Sequence, residues 1–311
     1  MTDDIKYTIG ECAQKNFKII YYGSINYPDN LKELYSPPIV LFAAGDLKPA
    51  DNNAIAVVGS RFAGKYGLGV TEQFCKEFVS FGITIVSGFA KGIDIAAHLS
   101  AIEAGGRTIC VLGTGLGRNC IYPAEHKIFY DKFIKNDSVV FLSEYPPNTI
   151  AAKQNFPARN RIVSGLSLGT LIVQAGNHSG ALITAKMALE QNREVFAIPD
   201  RINQAGSIGT NELIKRGEAK LVQSVEDIVD EILPEKQLLK PKEKNKFTQK
   251  EYKLTELEIK TLECLNETPQ KLAEIADKMN ITESNANVIL MKLEFKNLVC
   301  QLPGYLFFRI K

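Results

Sequence analysis

The stretch FPARNRIVSGLSLG (156–169) sets a phenylalanine, two arginines and an asparagine directly ahead of an apolar, glycine-punctuated run. A guanidinium is planar, always charged and forked, so it meets phosphate or carboxylate oxygens two at a time. Arg159 and Arg161 are two apart, and on a helix such side chains point in different directions. Either they span two phosphates, or one binds outward while the other is tied to carbonyls or to an acid such as Asp94 or Glu144. Phe156, just ahead of Pro157, is either a core residue or a ring on which a base stacks. Phosphate forks beside an aromatic face are how single-stranded nucleic acid is held, with stacking worth about 1–3 kcal/mol per base.

Other chemistry is poorly served. His98, His126 and His178 each stand alone, without metal-ligand spacing. There is no Gly-x-Ser-x-Gly elbow and no Walker lysine motif. Asp94 and His98 are four apart and share a helix face, which reads as a helix N-terminal acid with a packed histidine. The string AGSIGTNELIKRG (205–217) resembles the Gly-Gly-x-Gly-Thr-x-x-Glu of nucleoside-monophosphate phosphoribohydrolases, with Glu212 as the glutamate. Ser207 replaces its second glycine, however, and Ala205 stands where that family has a proline. Six cysteines are scattered without a Cys-x-x-Cys pair, and read as buried or free thiols.

What positions the arginines is a rhythm of short apolar runs, each followed by a turn and a helical pattern. The runs are AIAVVGS (54–60), ITIVSG (83–88), TICVLGTG (108–115), VVFLSEYP (139–146), TLIVQAG (170–176) and EVFAIPD (194–200). They lack the alternation of a half-exposed strand, so they predict strands buried on both faces. Strand alternating with helix predicts an α/β fold: a Rossmann-like, doubly wound parallel sheet that binds ligands beyond the strands' carboxyl ends. Those ends carry Gly59-Ser60-Arg61, Ser87-Gly88, Gly113-Thr114-Gly115 and Gly176-Asn177-His178-Ser179-Gly180. The last precedes a helix, whose first N–H groups make an anion seat.

Residues 51–233 therefore form the core, and residues 1–50 an extension laid on it, with an edge strand possible at IVLFAAG. Residues 234–253 carry seven lysines against three glutamates and read as a flexible linker. Residues 254–311 read as three helices and a hairpin turning at Pro303-Gly304, a winged helix-turn-helix. Thr255 with Glu258 predicts a capping box there, and Thr282 an N-cap. Its third helix offers Glu283, Ser284, Asn285, Asn287 and Lys292, hardly a basic reading head, so a protein contact is at least as well served as duplex DNA.

The 311 residues are 45% hydrophobic and 23% charged, with a net charge of +2. Near neutrality confines any nucleic-acid role to a local patch. The N-terminus is acidic and polar, unlike a signal peptide, and no apolar run approaches the roughly 18–20 residues needed to cross a bilayer. A soluble, cytoplasmic protein is expected.

The ordered strings YPDNLKEL, VVGSRFAGKYG, VSGFAKGIDIAAH, GGRTICVLGTGL, IYPAEH, SEYPPNT, FPARNRIVSGLS and HSGALITAKMALEQNREVFAIP resemble the DNA processing protein A (DprA, or Smf) family. The resemblance implies an extended Rossmann core that pairs as a homodimer, uses no cofactor and has no established catalysis. It implies binding of single-stranded DNA and loading of a RecA-type recombinase, in natural transformation or homologous recombination. Carried over, Arg61 in its Gly59-Ser60-Arg61 turn would be a phosphate ligand. Lys153, Phe156, Arg159 and Asn160 would line the DNA pocket, with Ser179 and Gly180 at the next helix start and Lys127 near the same edge. Arg161 joins this set as the second guanidinium. The family usually has Glu where this chain has Gln174, and Gly where it has Asp200, an acid that would trim affinity if it faced the groove. The N-terminal helical domain of some members is expected to be absent or abbreviated. The competing readings are the hydrolase acting through Glu212 and a regulator whose winged helix reads duplex.

Overall fold

In the computed structural model, nine strands form one sheet: β1 (Lys18–Tyr21), β2 (Val40–Ala44), β3 (Ala54–Val58), β4 (Thr84–Ser87), β5 (Thr108–Leu112), β6 (Val139–Ser143), β7 (Gly169–Ile172), β8 (Glu194–Ala197) and β9 (Lys220–Leu221). Helices α1 (Asp3–Gln14), α2 (Asp29–Lys32), α3 (Lys65–Ser80), α4 (Ile93–Glu103), α5 (Lys127–Phe133), α6 (Asn155–Gly165), α7 (Gly180–Glu190), α8 (Ile208–Lys215) and α9 (Glu226–Ile232) accompany them. The described residues are 3–233, 255–266, 269–279, 281–295, 298–302, 304 and 306–309. The chain divides into two units, Met1–Pro241 and Lys242–Lys311.

The spatial order is β1-β2-β6-β5-β4-β3-β7-β8-β9. Pairing is parallel from β6 through β9, and antiparallel where β2 meets β6 and β1 meets β2. All six expected strands form, and β3 shows why their sequences do not alternate. Ala54, Ala56 and Val58 pack on one face, with Ile162 and Val163 of α6 and Ala181, Ala185 and Ala188 of α7. Ile55 and Val57 pack on the other, with Phe74 and Phe78 of α3 and Ala97 and Ala101 of α4. Helices on both faces leave no position to water.

The extension departs from expectation. Its IVLFAAG run is not the edge: β2 is second from it, and Lys18–Tyr21 adds β1 outside, with Lys18↔Ala43 through Tyr21↔Val40 in register. Helix α1 precedes it.

In the second unit, α10 (Glu256–Cys264), α11 (Leu272–Met279) and α12 (Glu283–Phe295) accompany β10 (Gln270–Lys271), β11 (Val299–Leu302) and β12 (Leu306–Arg309). These strands form a sheet in the order β10-β12-β11, so the expected hairpin gains a third strand. Leu262, Ile275, Leu290, Leu293, Val299 and Phe307 make its core. Thr255 and Glu258 form the expected capping box, and Thr282 Oγ1 accepts from Asn285 N at 3.4 Å. The lysine-rich linker and Pro303 lie outside the described residues.

Three of the core's buried groups bear on stability. Cys75 and Cys110 are fully buried thiols whose pKa burial pushes up. His98 of α4 is also fully buried, its Nδ1 2.6 Å from Thr108 Oγ1. That hydroxyl donates to the Ile85 carbonyl at 2.9 Å, so Nδ1 must carry the imidazole proton, and Nε2 has no partner among the described residues. Burial, with the charge of Arg159, lowers the pKa of His98 to about 3. The unfolded chain therefore takes a proton that the folded chain refuses. Stability from this group is complete above about pH 6.5 and declines as the pH falls below it, by up to about 1.4 kcal/mol per pH unit. Urea denaturation at stepped pH measures the slope. His98→Asn sets an amide N–H where Nδ1 stood, keeping a donor for Thr108, but cannot titrate, so it should flatten the dependence between pH 6.5 and 4; an unchanged slope would assign it to other groups.

Candidate functional site

The chain runs outward from β3 in one direction through β4, β5 and β6, and in the other through β7 and β8. The crevice at such a switch point is where this architecture takes ligands. A cavity of about 690 Å³ opens there, walled by the ends of β3 and β4, by α6 and by the start of α7.

The turn after β3 is held from both sides. Ser60 N donates to the Gln174 carbonyl at 2.7 Å, and the Ser60 carbonyl accepts from Ile93 N at 3.2 Å. Gly92, at φ +74°, makes this approach possible, because a Cβ there would collide with the Ser60 carbonyl. Ser60 Oγ accepts from Phe62 N at 3.1 Å, which pins the backbone on either side of Arg61. Arg61 itself is exposed and lines the cavity, and no ion pair or hydrogen bond engages it among the described residues. Lys153, exposed just before α6, does the same. Opposite, Ser179 caps α7 by accepting from Ala181 N at 3.3 Å, and nothing stands within 4 Å of where a Cβ on Gly180 would lie. Gly180 thus borders open space at the start of α7, where Ala181 N is bonded to Ser179 Oγ and Leu182 N to the Ser179 carbonyl.

Neither arginine of the opening motif is an open fork: each is tied to carbonyls or to an acid, the arrangement the sequence left open for one of them. Arg159 lies in the cavity wall yet is only 5% exposed. Its Nη1 donates to the Gly88 carbonyl at 2.5 Å and to the Val111 carbonyl, and its Nε to Asn160 Oδ1 at 3.2 Å. Gly88 must be glycine here, since a Cβ would stand 2.6 Å from Nη2. Nearby, Asp94 accepts from Gly88 N at 3.1 Å and from Ala90 N at 3.4 Å. Burial lowers the pKa of Arg159 to about 10 against the pull of Asp94, so it stays charged at neutral pH. Burial likewise pushes the Asp94 carboxyl up, opposed by Arg159 and those amides. Arg159 is a clamp across the ends of β4 and β5. Arg161 pairs with Glu144 and donates to the Ser36 carbonyl at 2.9 Å, and it is not among the cavity's lining residues. Nor is Lys127, at the start of α5.

Phe156 answers both of its readings. One edge packs on Gly113, where a Cβ would meet the ring at 2.8 Å, and the residue also lines the cavity. Its ring centroid lies 5.3 Å from that of Tyr122, which is half exposed. Together with Arg61, Lys91 and Pro123 the two rings wall a side cavity of about 50 Å³. The sequence reading missed Tyr122; its one signal was an aromatic in IYPAEH, between two of the glycine-rich strand ends. His178, named in the strand end ahead of α7 but not among the expected site residues, is an exposed lining residue. Asp94 is the sole carboxylate among the lining residues, and it is buried beside Arg159.

Glu212, the hydrolase candidate, sits on α8 paired with Arg216 at 2.9 Å and does not line the cavity. Among the described residues no group of three or more His, Cys, Asp or Glu could hold a metal ion, and no helix is long and apolar enough to cross a membrane. The two unusual residues Gln174 and Asp200 turn out to touch. Gln174 Nε2 donates to Asp200 Oδ2 at 3.2 Å, while its Oε1 accepts from Gly64 N at 3.0 Å. A glutamate at 174 would set two carboxylates against each other, so the amide accompanies the extra acid. Asp200 lines a different hollow.

The family model of DNA recombination-mediator protein A matches residues 18–233, and the chain belongs to this family. It is 44% identical over 224 residues to the DNA processing protein DprA of Bacillus subtilis, covering 72% of this chain and 73% of that one. The crystal structure of DprA from Streptococcus pneumoniae superposes with a TM-score of 0.67 at 41% identity, over 74% of this chain and 78% of the other. A DNA processing protein A from Helicobacter pylori, solved for its mode of binding single-stranded DNA, gives 0.62 at 30% identity, over 70% and 96%.

The clamp reading separates two arginines that a binding assay alone would confuse. Arg159→Met leaves Asp94 buried without its partner and should cost about 3–5 kcal/mol of stability in urea denaturation. Arg61→Ala, at an exposed site, should stay within about 0.5 kcal/mol of the parent. Equal losses in the two would remove the distinction.

Proposed function

We propose that this chain binds single-stranded DNA in the cavity at the β3–β7 switch point and acts there as a recombination mediator. The observation that carries the reading is an open cavity where the unengaged cations of Arg61 and Lys153 flank the Phe156–Tyr122 ring pair. The lining offers no exposed carboxylate to oppose phosphates. Arg61 and Lys153 take backbone phosphates, the α7 start with Ser179 and Gly180 takes another, and a base lies against Phe156 and Tyr122. Asn160 orients Arg159, which shapes the floor. Arg161 acts through Glu144 to hold α6 in place.

Membership in the family supports the wider role: loading a RecA-type recombinase onto the bound strand, as a homodimer, in DNA uptake or homologous recombination. We read the second unit as a winged helix-turn-helix, on three helices and the β10-β12-β11 sheet. Val288 and Met291 are about half exposed on α12, where Lys292 is the single base against Glu283 and Glu294, which favours a protein contact over a duplex.

Fluorescence anisotropy of a labelled oligothymidine against a duplex of equal length, over a salt series, tests the binding. The single strand should be preferred. Arg61→Ala and Lys153→Ala should each lower the log–log salt slope by about 0.7, the share of one phosphate on a single strand. Phe156→Ala and Tyr122→Ala should each weaken binding by about 1–3 kcal/mol if they stack a base. Unchanged affinity in Arg61→Ala and Lys153→Ala, with the fold intact by circular dichroism, would sink the assignment.

A further inference from the structure

The same sheet edge carries a second hollow one strand further on. It measures about 600 Å³ and is lined by Lys65, Tyr66, Gln174, Asp200, Arg201 and Gln204, among others. The first cavity sits over the ends of β4, β3 and β7, and the second over those of β3, β7 and β8. These strands are consecutive neighbours in the sheet, so the two hollows adjoin. The wall between them is the turn after β3. Gln174 fixes both its ends, by its carbonyl at Ser60 N and by its side chain at Gly64 N. On this wall Phe62 is 93% exposed and lines the first cavity.

The chemistry of the second hollow repeats that of the first. Lys65 and Arg201 are exposed cations, and neither takes part in an ion pair among the described residues. Tyr66 donates its hydroxyl to the Pro199 carbonyl at 3.0 Å, which fixes a half-exposed ring in the wall. Asp200 is the opposing charge, but its oxygens are engaged by Ser207 Oγ at 2.5 Å, Arg201 N at 2.7 Å and Gln174 Nε2 at 3.2 Å. Two exposed cations share the hollow with one carboxylate already committed to the protein.

We propose that this hollow is a second subsite for the same single strand. The strand leaves the first cavity across Phe62, its next phosphates meet Lys65 and Arg201, and a base lies on the Tyr66 ring. The proposal rests on the single-strand reading above and extends it from one cavity to a track along three strand ends. It makes affinity depend on strand length in a way that one cavity does not.

The test is the double variant Lys65→Ala/Arg201→Ala in the full chain, with oligothymidines of about 5 and about 16 nucleotides, the range over which single-strand sites differ in size. The longer oligonucleotide should lose about tenfold in affinity, and its salt slope should fall by about 1.4, the share of two phosphates. The shorter one should bind as it does to the parent. Loss of affinity for neither, or equal loss for both, overturns the second subsite. Arg61→Ala run in parallel keeps the two readings apart. If it weakens both oligonucleotides while the double variant weakens neither, the first cavity stands and the extension falls. If it weakens neither, the single-strand reading itself falls. Both mutated side chains are exposed, so an unchanged thermal midpoint is the control for folding.

Discussion

A guanidinium buried at the mouth of a parallel sheet sets the terms for everything around it. Arg159 reaches from α6 to the Gly88 and Val111 carbonyls, and so ties one helix to the ends of two neighbouring strands. Taking that charge out of water is costly, and its cost is met locally, by carbonyl dipoles and by Asp94 at the start of α4. The glycines of the site follow from this contact and its neighbours. Gly88 gives room to the guanidinium, Gly92 to the Ser60 carbonyl, and Gly113 to the Phe156 ring. The glycine-rich strand ends, which look in the sequence like phosphate-binding turns, are largely packing solutions. Three pieces of backbone and one helix meet there at distances a Cβ would forbid. What remains for a ligand is the outer surface of that assembly, where Arg61 and Lys153 stand unengaged among the described residues.

This explains which parts of the site could be read in advance. Six strands were legible because burial on both faces removes the polar–apolar alternation, most fully in AIAVV of β3. The edge elements were not: β1 is KIIY with one buried residue, and β9 is two exposed residues. Neither carries a pattern that separates it from a loop, and each is defined by its pairing with one neighbour, β1 with β2 and β9 with β8. Arg61, Ser179 and Gly180 were legible because they follow strands, and the carboxyl ends of parallel strands are where this architecture opens. The roles of Arg159 and Arg161 were not. Spacing shows that the two diverge around a helix, but not which way the helix is turned. That rotation is settled by Ile162 and Val163, which must face the sheet. Once they do, Arg159 is carried inward over β4 and β5 and Arg161 toward Glu144. Tyr122 escaped notice because it belongs to a connection beyond β5, and only the fold brings it to the Phe156 ring.

The pairing of Gln174 with Asp200 shows the same dependence. Read singly, one residue loses a charge and the other adds one beside a groove. Read together, the charge has moved by one contact. Gln174 keeps its hold on Gly64 through Oε1 and turns its amide to Asp200, whose pKa is held below the usual carboxylate range. Burial raises it, but hydrogen bonds from Ser207, the Arg201 backbone and Gln174 outweigh that. The wall of the cavity is preserved, and the acid lies in the neighbouring hollow. An isolated acid in a binding groove would weaken a polyanion's hold, whereas a carboxylate with its lone pairs occupied and an arginine beside it contributes a much smaller local field.

The kind of recognition such a surface permits follows from what is left over after packing. Discrimination among bases needs donors and acceptors free to meet base edges. Here Asn160 Oδ1 is engaged by Arg159, Ser60 Oγ by Phe62 N, and Ser179 Oγ by Ala181 N. The groups most open to a ligand are cations and ring faces, Arg61, Lys153 and the Phe156–Tyr122 pair. Each of these meets a feature that every nucleotide has, a phosphate or a π face. On the reading proposed above, a site built from these parts holds a single strand whatever its sequence. Duplex would be excluded for a simple reason: paired and stacked bases cannot turn a face to Phe156 and Tyr122.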